Sequence, residues 1–322
     1  MSRNEQRYGY ALWEEGYEMN RRTAVPCERN RVVITGLGAL TPVGLTAEDT
    51  WEALLAGRSG IGEFPMPELE DSPCQIAGQL KGFRARDHLG AKEAKRLARF
   101  SQIAIIAAGM ALEDSGLALS DEAKEDVGVV QGTAVGGTVI EVEGGLKRLG
   151  PRSLTRISPN HLLALPPNMA AFHIAKTFGF HGYCNTTVTA CAAGAQAIGD
   201  AAELIRHGRA EVMIAGGSEA TLTPVAFASF NVMRALSSRN GNPAASSRPF
   251  DAKRDGFVMA EGSAIFVLES LEHALARDAR IYAELVGYAA NTDGFHVIAP
   301  LVQSALAIED DHLLGICPVG QK

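Results

Sequence analysis

The sequence has no long hydrophobic run and no excess of positive charge. None of its apolar segments approaches the roughly 20 uninterrupted residues of a membrane-spanning helix, and the N-terminus lacks the apolar core of a signal peptide. The net charge of −7 argues against general nucleic-acid binding, although a local basic cluster could still bind an acidic partner. We therefore expect a cytoplasmic protein that binds neither membrane nor nucleic acid.

Cysteine is scarce, and its spacing is informative. The chain has five cysteines, with neither a paired framework nor a CxxC pair: Cys27, Cys74, Cys184, Cys191 and Cys317. This pattern is not typical of a disulfide scaffold or of a zinc site. The thiols are expected to be reduced, and one of them is a candidate nucleophile.

Strand-like and helix-like segments alternate along most of the chain. Residues 1–30 are polar and without periodicity, which predicts an irregular extension. After them, RVVITGLG and DVGVVQG predict buried strands, and TAEDTWEALLAG predicts a helix with Thr46 as N-cap. A longer helix is predicted from Lys92 to Ser115, and EVMIAGG predicts a strand with a tight turn at Gly216–Gly217. This alternation indicates an α/β fold with a mostly parallel sheet.

The stretch NTTVTACAAGAQAIGDAAELI places Cys191 where a strand gives way to a helix. Thr186 to Thr189 favour a strand, whereas Ala192 to Ile205 contain strong helix formers and an apolar stripe. A helix N-terminus presents free N–H groups and partial positive charge, which favour a thiolate. Two interpretations fit this local pattern equally: a nucleophile with small neighbours that admit a long acyl thioester, or a small buried hydrophobic residue.

Several sequence blocks, taken in order, resemble a known family. They are GLGALTPVG near the start, NTTVTACAAGAQAIGDAAELIRHGRAEVMIAGGSEA in the middle, and MRALSSRN with RPFDAKRDGFVMAEG afterwards. The chain is similar to the type II beta-ketoacyl-acyl carrier protein synthases, the condensing enzymes of fatty acid biosynthesis, over about residues 31–300. The resemblance implies a thiolase-like layered α/β/α/β/α fold, formed by two similar halves and assembled as a homodimer.

The resemblance also implies a reaction. Cys191 falls on the family's nucleophile, which takes an acyl group from acyl carrier protein; malonyl-acyl carrier protein is then decarboxylated, and its carbanion attacks the acyl-enzyme. No redox or metal cofactor is implied, because the phosphopantetheine arm arrives on the carrier protein. The glycines near Pro42 have the wrong spacing for a dinucleotide-binding GxGxxG loop, so we expect no nucleotide site.

Further residues acquire roles only through the resemblance. Val135 and Phe230 match positions that line the family's acyl pocket, and the alternative for each is ordinary core. His296 matches a loop position near the pocket entrance and is expected to serve the substrate channel or the structure.

Three basic residues, Lys95, Arg96 and Arg234, resemble positions that meet the acidic carrier protein. The alternative for these side chains is an exposed surface whose charges are solvated. Cys184 is expected to be ordinary core. Arg254, Asp255 and Glu261 are expected to organise a loop.

The resemblance ends near residue 300. It divides the chain into the extension 1–30, an N-terminal thiolase-like half at 31–280 that carries the nucleophile, the start of a C-terminal half at 281–300, and a tail at 301–322 that does not resemble the family. The family's two catalytic histidine motifs do not occur in the sequence, so we expect that the chain alone cannot decarboxylate malonyl thioester. A degenerate relative that binds acyl chains or carrier protein without turnover remains an alternative. A thiolase or hydrolase that uses the cysteine is a weaker one.

Overall fold

The computed structural model describes residues 29–149, 157–292 and 315–318, with side chains excepted at 147–149 and in the last of these ranges. The described strands are β1 (Val32–Leu40), β2 (Ile61–Glu63), β3 (Ile76–Gly78), β4 (Gly128–Gly132), β5 (Cys184–Thr187), β6 (Val212–Glu219), β7 (Gly262–Ser270), β8 (Ala283–Gly287) and β9 (Gly315–Pro318). The described α-helices are α1 (Ala47–Leu55), α2 (Ala85–Leu89), α3 (Ala91–Ala94), α4 (Arg99–Ser115), α5 (Thr138–Leu149), α6 (His161–Ala164), α7 (Met169–Phe178), α8 (Ala193–Arg206), α9 (Pro224–Val232) and α10 (Leu271–Ala276).

The main sheet is mixed, so the prediction of a mostly parallel sheet is wrong. Its strand order is β5-β4-β6-β7-β1-β8-β9, in which only the β5–β4 and β4–β6 pairs are parallel. In the β6–β7 pair, Glu219 lies opposite Gly262. The chain between these residues returns to the sheet at the end where β6 leaves it, so β7 runs antiparallel to β6; a parallel neighbour would require a crossover to the opposite end.

Helices cover both faces of the main sheet, as the α/β pattern predicts. On one face, α4 and α7 bury alanine and isoleucine side chains against Val129, Ile214 and Val267. On the other face, α8 packs its own alanine and isoleucine side chains against Val130 and Met213. Because buried apolar area is the main stabilising contribution, these two layers hold the sheet between them. The layered α/β fold expected from the sequence is confirmed.

The single helix predicted over Lys92–Ser115 is two helices in the structure. Ahead of α4, Ala98 is extended, with φ −63° and ψ 151°. The Gln102 side-chain amide donates hydrogen bonds to the carbonyls of Ala94 and Leu97 and so satisfies backbone acceptors at the break. The residues at the break are good helix formers, and for that reason the apolar periodicity did not reveal it.

Glycine plays a packing role within β6, where a turn was predicted. Gly216 and Gly217 lie inside the strand, which runs without a turn to Glu219. A Cβ on Gly216 would lie 2.1 Å from the carbonyl oxygen of Ala264 on β7, which is closer than atoms can approach. The glycine pair therefore lets the backbone of β7 approach β6 closely. Because Gly-Gly is also common in turns, the sequence alone suggested a turn here.

The predicted helix cap at the start of α1 is confirmed, since the Thr46 hydroxyl accepts a hydrogen bond from the backbone N–H of Asp49 at 3.0 Å.

Strands β8 and β9 extend the main sheet beyond β1, so residues 283–287 and 315–318 belong to one sheet with the preceding chain. Within the described ranges, no helix combines the length and the apolar character that crossing a membrane requires.

Candidate active site

A cavity of about 540 Å³ opens at the end of the sheet where β4 and β6 stop and β7 begins. Its walls include Gly132 from β4, the Gly217–Glu219 segment of β6 and the Gly262–Ala264 segment of β7. Cys191 and its neighbours supply another wall, and two aromatic rings complete the lining. Ligand pockets in α/β proteins commonly lie at the carboxyl ends of parallel strands, and this cavity has that position.

Cys191 lies in a 3-10 turn, Ala190–Ala192, between β5 and the 14-residue helix α8. The predicted strand-to-helix junction is therefore present, and the cysteine at it is exposed within the cavity lining. Ala190 has a φ of 50°, in the left-handed region that residues other than glycine rarely occupy. Such a conformation costs about 1–3 kcal/mol and is typical of functional turns. It redirects the chain so that the next residue, Cys191, is presented to the cavity.

The start of α8 lies directly on the sheet because glycines face one another there. A Cβ on Gly132 would meet the carbonyl oxygen of Ala193 at 2.2 Å, and a Cβ on Gly217 would meet the Cα of Gly194 at 3.0 Å. Any larger side chain at these two strand ends would push the helix away from the sheet. The two glycines therefore fix the depth at which Cys191 sits relative to the cavity floor.

The start of α8 contributes backbone charge in front of which Cys191 lies. Ala192 occupies the N-cap position of this helix and makes no side-chain capping hydrogen bond in the described chain. An uncapped helix N-terminus offers partial positive charge to an anion in front of it, which suits both a thiolate and the oxyanion formed when a thiolate attacks a carbonyl. The arrangement can therefore support nucleophilic attack on a thioester.

The two residues expected to line an acyl pocket are placed differently. Phe230 lines the cavity, and its ring meets that of Phe257 edge to face with 5.2 Å between the ring centroids. Val135 follows the lining residues Thr133 and Ala134, and the cavity lining in the described part of the chain does not include it. His296, expected near the entrance, lies outside the described residues.

The three basic residues expected to meet a carrier protein are all exposed. Lys95 and Arg96 follow α3, where a guanidinium nitrogen of Arg96 lies 3.8 Å from a carboxylate oxygen of Glu93. Arg234 lies just beyond α9 in a left-handed conformation, with φ 55°. Their exposure leaves them accessible to an acidic partner, and it is equally typical of a solvated surface.

The other described cysteines differ from Cys191. Cys184 is exposed at the start of β5, so the prediction that it is ordinary core is wrong. In the described sheet β5 pairs only with β4, and an edge strand buries fewer of its residues. Cys74 is buried, and burial raises the pKa of its thiol. In the ranges that the structure describes, no three His, Cys, Asp or Glu side chains converge as metal ligands would.

Loop contacts account for two acidic residues that were expected to be structural. The buried Glu261 accepts hydrogen bonds from the backbone N–H of Leu80 and from the guanidinium of Arg99. Asp255 accepts hydrogen bonds from the Ser237 hydroxyl and the Arg239 guanidinium. These contacts hold the segment that leads into β7, and with it one wall of the cavity.

Sequence reasoning did not identify the charged residue of the described cavity lining, Glu219. Its carboxylate accepts hydrogen bonds from the hydroxyl of Thr133 and from the backbone N–H groups of Ala134, Val135 and Ala220. A signal was present, because Glu219 is a charged residue at the carboxyl end of a buried strand, where functional side chains of parallel sheets gather. The predicted turn at Gly216–Gly217 ended the strand too early to place Glu219 on it.

Comparisons with known proteins agree with this geometry. Residues 29–274 match the family described as beta-ketoacyl synthase, N-terminal domain. The chain is 46% identical over 274 residues to a curated relative from Synechocystis sp. named 3-oxoacyl-[acyl-carrier-protein] synthase 2. That match covers 85% of this chain and 66% of the relative, so the chain spans slightly less than two thirds of that protein's length.

Solved structures show the same architecture. A beta-ketoacyl synthase from Burkholderia phymatum aligns with a TM-score of 0.77 at 35% identity, covering 87% of this chain and 70% of that one. A type II polyketide ketosynthase, solved in complex with its acyl-carrier protein, aligns with a TM-score of 0.71 at 34% identity, covering 83% of this chain and 65% of that one. The thiolase-like layered fold, the position of the cavity and the match over residues 29–274 lead to one assignment: the chain belongs to the beta-ketoacyl synthase family.

Proposed function

We propose that this chain carries the nucleophilic part of a 3-oxoacyl-[acyl-carrier-protein] synthase of fatty acid biosynthesis, with Cys191 as the acyl acceptor. The observation that carries the proposal is the exposed thiol of Cys191, which lies in front of α8 and inside a cavity with apolar walls. Its support from similarity is the curated relative from Synechocystis sp., which has that name.

The proposed chemistry begins with an acyl transfer. The Cys191 sulfur attacks the carbonyl of an acyl thioester on acyl carrier protein; a new carbon–sulfur bond forms to Cys191, and the phosphopantetheine thiol leaves with a proton. Malonyl-acyl carrier protein then loses its carboxylate as carbon dioxide. The resulting carbanion attacks the acyl-enzyme carbonyl, which releases the Cys191 thiolate and forms a 3-oxoacyl chain on the carrier protein. Every atom of the products comes from Cys191 or the two substrates, so the proposed chemistry uses no cofactor. The decarboxylation also needs the family's two catalytic histidines, whose motifs do not occur in this sequence. We therefore propose that this chain alone carries out the acyl transfer and not the decarboxylation.

Substrate binding follows from the cavity walls. The rings of Phe230 and Phe257 present apolar surface beside Cys191, where a fatty chain gains about 0.8 kcal/mol for each buried CH₂ group. Val135 would join this pocket through a side-chain movement, since its backbone lies on the loop next to Ala134. His296 lies outside the described residues, and its role in the substrate channel stays a prediction from the family resemblance.

The proposed carrier-protein surface consists of Lys95, Arg96 and Arg234. All three are exposed, and positive side chains on a protein of net charge −7 suit an acidic partner, because local complementarity governs docking. The ketosynthase solved with its acyl-carrier protein shows that this kind of partner occurs in a structural neighbour.

Location and assembly form part of the same proposal. The described cysteines Cys74, Cys184 and Cys191 are free thiols, as expected for the cytoplasm. Strand β5 lies at the edge of the described sheet and offers a surface on which a second copy can pair, so we propose a homodimer. Light scattering on the purified chain distinguishes one copy from two.

The acyl-transfer step is tested by intact-protein mass spectrometry after incubation with dodecanoyl-acyl carrier protein. The unmodified chain should gain the mass of one dodecanoyl group, and Cys191→Ala should gain none. Cys184→Ala is the matched control, because it removes another exposed thiol and should be acylated as fully as the unmodified chain.

Two outcomes would reject the proposal. One is an adduct that persists in Cys191→Ala, since the acyl group would then reside elsewhere. The other is an unmodified chain that binds the loaded carrier protein but never gains mass; this result would select a binding relative without acyl transfer.

A further inference from the structure

The loop after β4 is built around a single carboxylate. One oxygen of Glu219, Oε2, accepts three hydrogen bonds: from Thr133 Oγ1 at 3.1 Å, from Ala134 N at 2.9 Å and from Val135 N at 3.0 Å. The other oxygen, Oε1, accepts one from Ala220 N at 3.1 Å. The loop Thr133–Val135, which follows β4, is thereby held to the end of the neighbouring strand β6.

A second contact makes the loop conformation depend on the carboxylate. The Thr133 hydroxyl gives its one proton to Glu219 and accepts a hydrogen bond from the backbone N–H of Gly136 at 3.2 Å. Gly136 has a φ of 61°, so the chain reverses there before α5 begins. Consecutive residues of the turn are thus oriented by one side chain, and removal of its oxygens would leave the three donors of the turn and the N–H of Ala220 without an acceptor.

This loop is a wall of the cavity that contains Cys191. Thr133, Ala134 and Glu219 itself line the cavity, as does Phe230. The backbone of Val135 is bonded to the carboxylate, and in the described chain its side chain lies outside the lining. The position of Glu219 therefore decides which side chains of the loop face the cavity.

We propose that Glu219 is a positioning residue that sets the acyl-chain length the cavity accepts, by holding the loop Thr133–Val135 against β6. This inference rests on the proposed function, since it requires an acyl group on Cys191. Glu219 need not touch the reacting atoms; it acts through the loop. Without the carboxylate, the freed N–H groups turn toward water and carry Ala134 from the wall, so a long acyl chain loses contacts that a short one never makes.

A carboxylate suits this task better than an amide. Three donors converge on Oε2 and a fourth meets Oε1, so every contact needs an acceptor. In Glu219→Gln the amide oxygen can still receive the three loop donors, while its NH₂ group faces the N–H of Ala220. The glutamine variant should therefore keep most of the loop geometry, whereas Glu219→Ala should lose it.

The test measures acylation of Cys191 in the full chain by dodecanoyl-acyl carrier protein and by acetyl-acyl carrier protein. In Glu219→Ala the ratio of the dodecanoyl rate to the acetyl rate should fall about tenfold, equivalent to the lost burial of roughly two methylene groups. Glu219→Gln should restore the ratio to within about threefold of the unmodified chain. Alkylation of Cys191 by iodoacetamide should change less than twofold, because that reagent does not use the acyl-chain wall.

The controls separate positioning from general stability. Glu284→Ala removes another half-buried glutamate, which lies on β8 and accepts hydrogen bonds from Arg31. Glu284 is not part of the cavity lining in the described chain, so this variant should leave the rate ratio unchanged. Thr133→Val removes one of the three donors and keeps the side-chain shape; it should lower the ratio in the same direction, which tests the inference even when Glu219→Ala does not fold.

The outcomes that overturn the inference are distinct from failure of the proposed function. An unchanged ratio in both Glu219→Ala and Thr133→Val overturns the inference alone, as does an equal fall in the dodecanoyl, acetyl and iodoacetamide rates. An unmodified chain that neither carrier protein acylates refutes the proposed function, and this inference with it.

Discussion

The two ends of the β6–β7 ladder each carry a glutamate, and the two are held in opposite ways. At one end Glu269 lies opposite Val212, is fully buried, and accepts hydrogen bonds from the side chains of Thr35, His273 and Arg277. At the other end Glu219 lies opposite Gly262 and accepts hydrogen bonds from backbone and one hydroxyl. The same ladder thus ends once in a charge-paired core and once in an open cavity.

The difference separates a structural role from a functional one. At the Glu269 end, burial disfavours the charged carboxylate, but hydrogen bonds from Arg277, Thr35 and His273, with the charge of Arg277, hold the pKa of Glu269 below its ordinary value. The charge of Glu269 is therefore compensated at that end. At the Glu219 end, glycines and alanines leave space, and the strain at Ala190 presents Cys191 to it. Charge compensation supports the fold, whereas open space admits a substrate.

Glu269→Ala should give the largest effect on stability. It leaves the Arg277 guanidinium without its carboxylate partner and opens a buried cavity, so the free energy of unfolding should fall by about 3 kcal/mol. Urea denaturation measures the loss. Glu284→Ala removes the partner of the exposed Arg31 and should cost much less; equal losses in the two variants would show that burial of Glu269 adds nothing.

The same carboxylate predicts a pH dependence. Because the pKa of Glu269 is lower in the folded chain than its ordinary value of 4.5, the unfolded chain binds the proton first as the pH falls. The stabilisation from Glu269 should therefore be complete above pH 4.5 and disappear as the pH falls through the lower, folded-state value. In Glu269→Gln this part of the acid-side slope should vanish. Urea denaturation at a series of pH values would contradict the assignment if both slopes were equal.

At the open end, Gly132→Ala should displace α8 from the sheet. The added Cβ would lie 2.2 Å from the carbonyl oxygen of Ala193, so α8 must shift away from the sheet at its first turn. We expect a loss of about 2 kcal/mol of stability, with a fall in the iodoacetamide reactivity of Cys191. Gly241→Ala, where a Cβ meets nothing within 4 Å, is the matched control. Unchanged cysteine reactivity would show that helix depth does not govern access.

The smallest expected losses of stability come from removing one hydroxyl at each end of the β6–β7 ladder. The Thr35 hydroxyl donates to the charged Glu269, and the Ser263 hydroxyl donates to the carbonyl of Gly217 at 3.0 Å. Hydrogen bonds to charged groups contribute about twice as much as neutral ones, so Thr35→Val should cost about 2 kcal/mol and Ser263→Ala about 1 kcal/mol. Denaturant midpoints of the two variants test the order. A greater loss from Ser263→Ala would reverse the contrast between the two ends.

Local sequence was sufficient to predict several helices and strands. The run of β-branched residues before Cys191 and the alanine-rich stretch after it predicted β5 and α8, and Thr46 marked the start of α1. These features depend on residues close together in the chain, and their physical causes are propensity and capping. The break between α3 and α4 was missed because its stabilising contact, from Gln102, involves residues that are all compatible with a helix.

The direction of β7 and the exposure of Cys184 depend on contacts between segments that are distant in the sequence. The antiparallel course of β7 depends on where residues 220–261 return to the sheet, and the exposure of Cys184 depends on β5 lying at the edge of the described sheet. Neither can be deduced from strand propensity, since a strand of given composition can pair on either side and in either direction.

The residue types around Cys191 already specified a thiol at the start of a helix, with small neighbours and a strand before it, because those preferences act within a few residues. Whether that thiol could be reached, and which carboxylate holds the wall beside it, depended on the close approach of β4, β6 and α8 through Gly132 and Gly217. Such contacts join residues about 20 to 85 positions apart in the chain, and only the packing of the folded molecule brings them within reach.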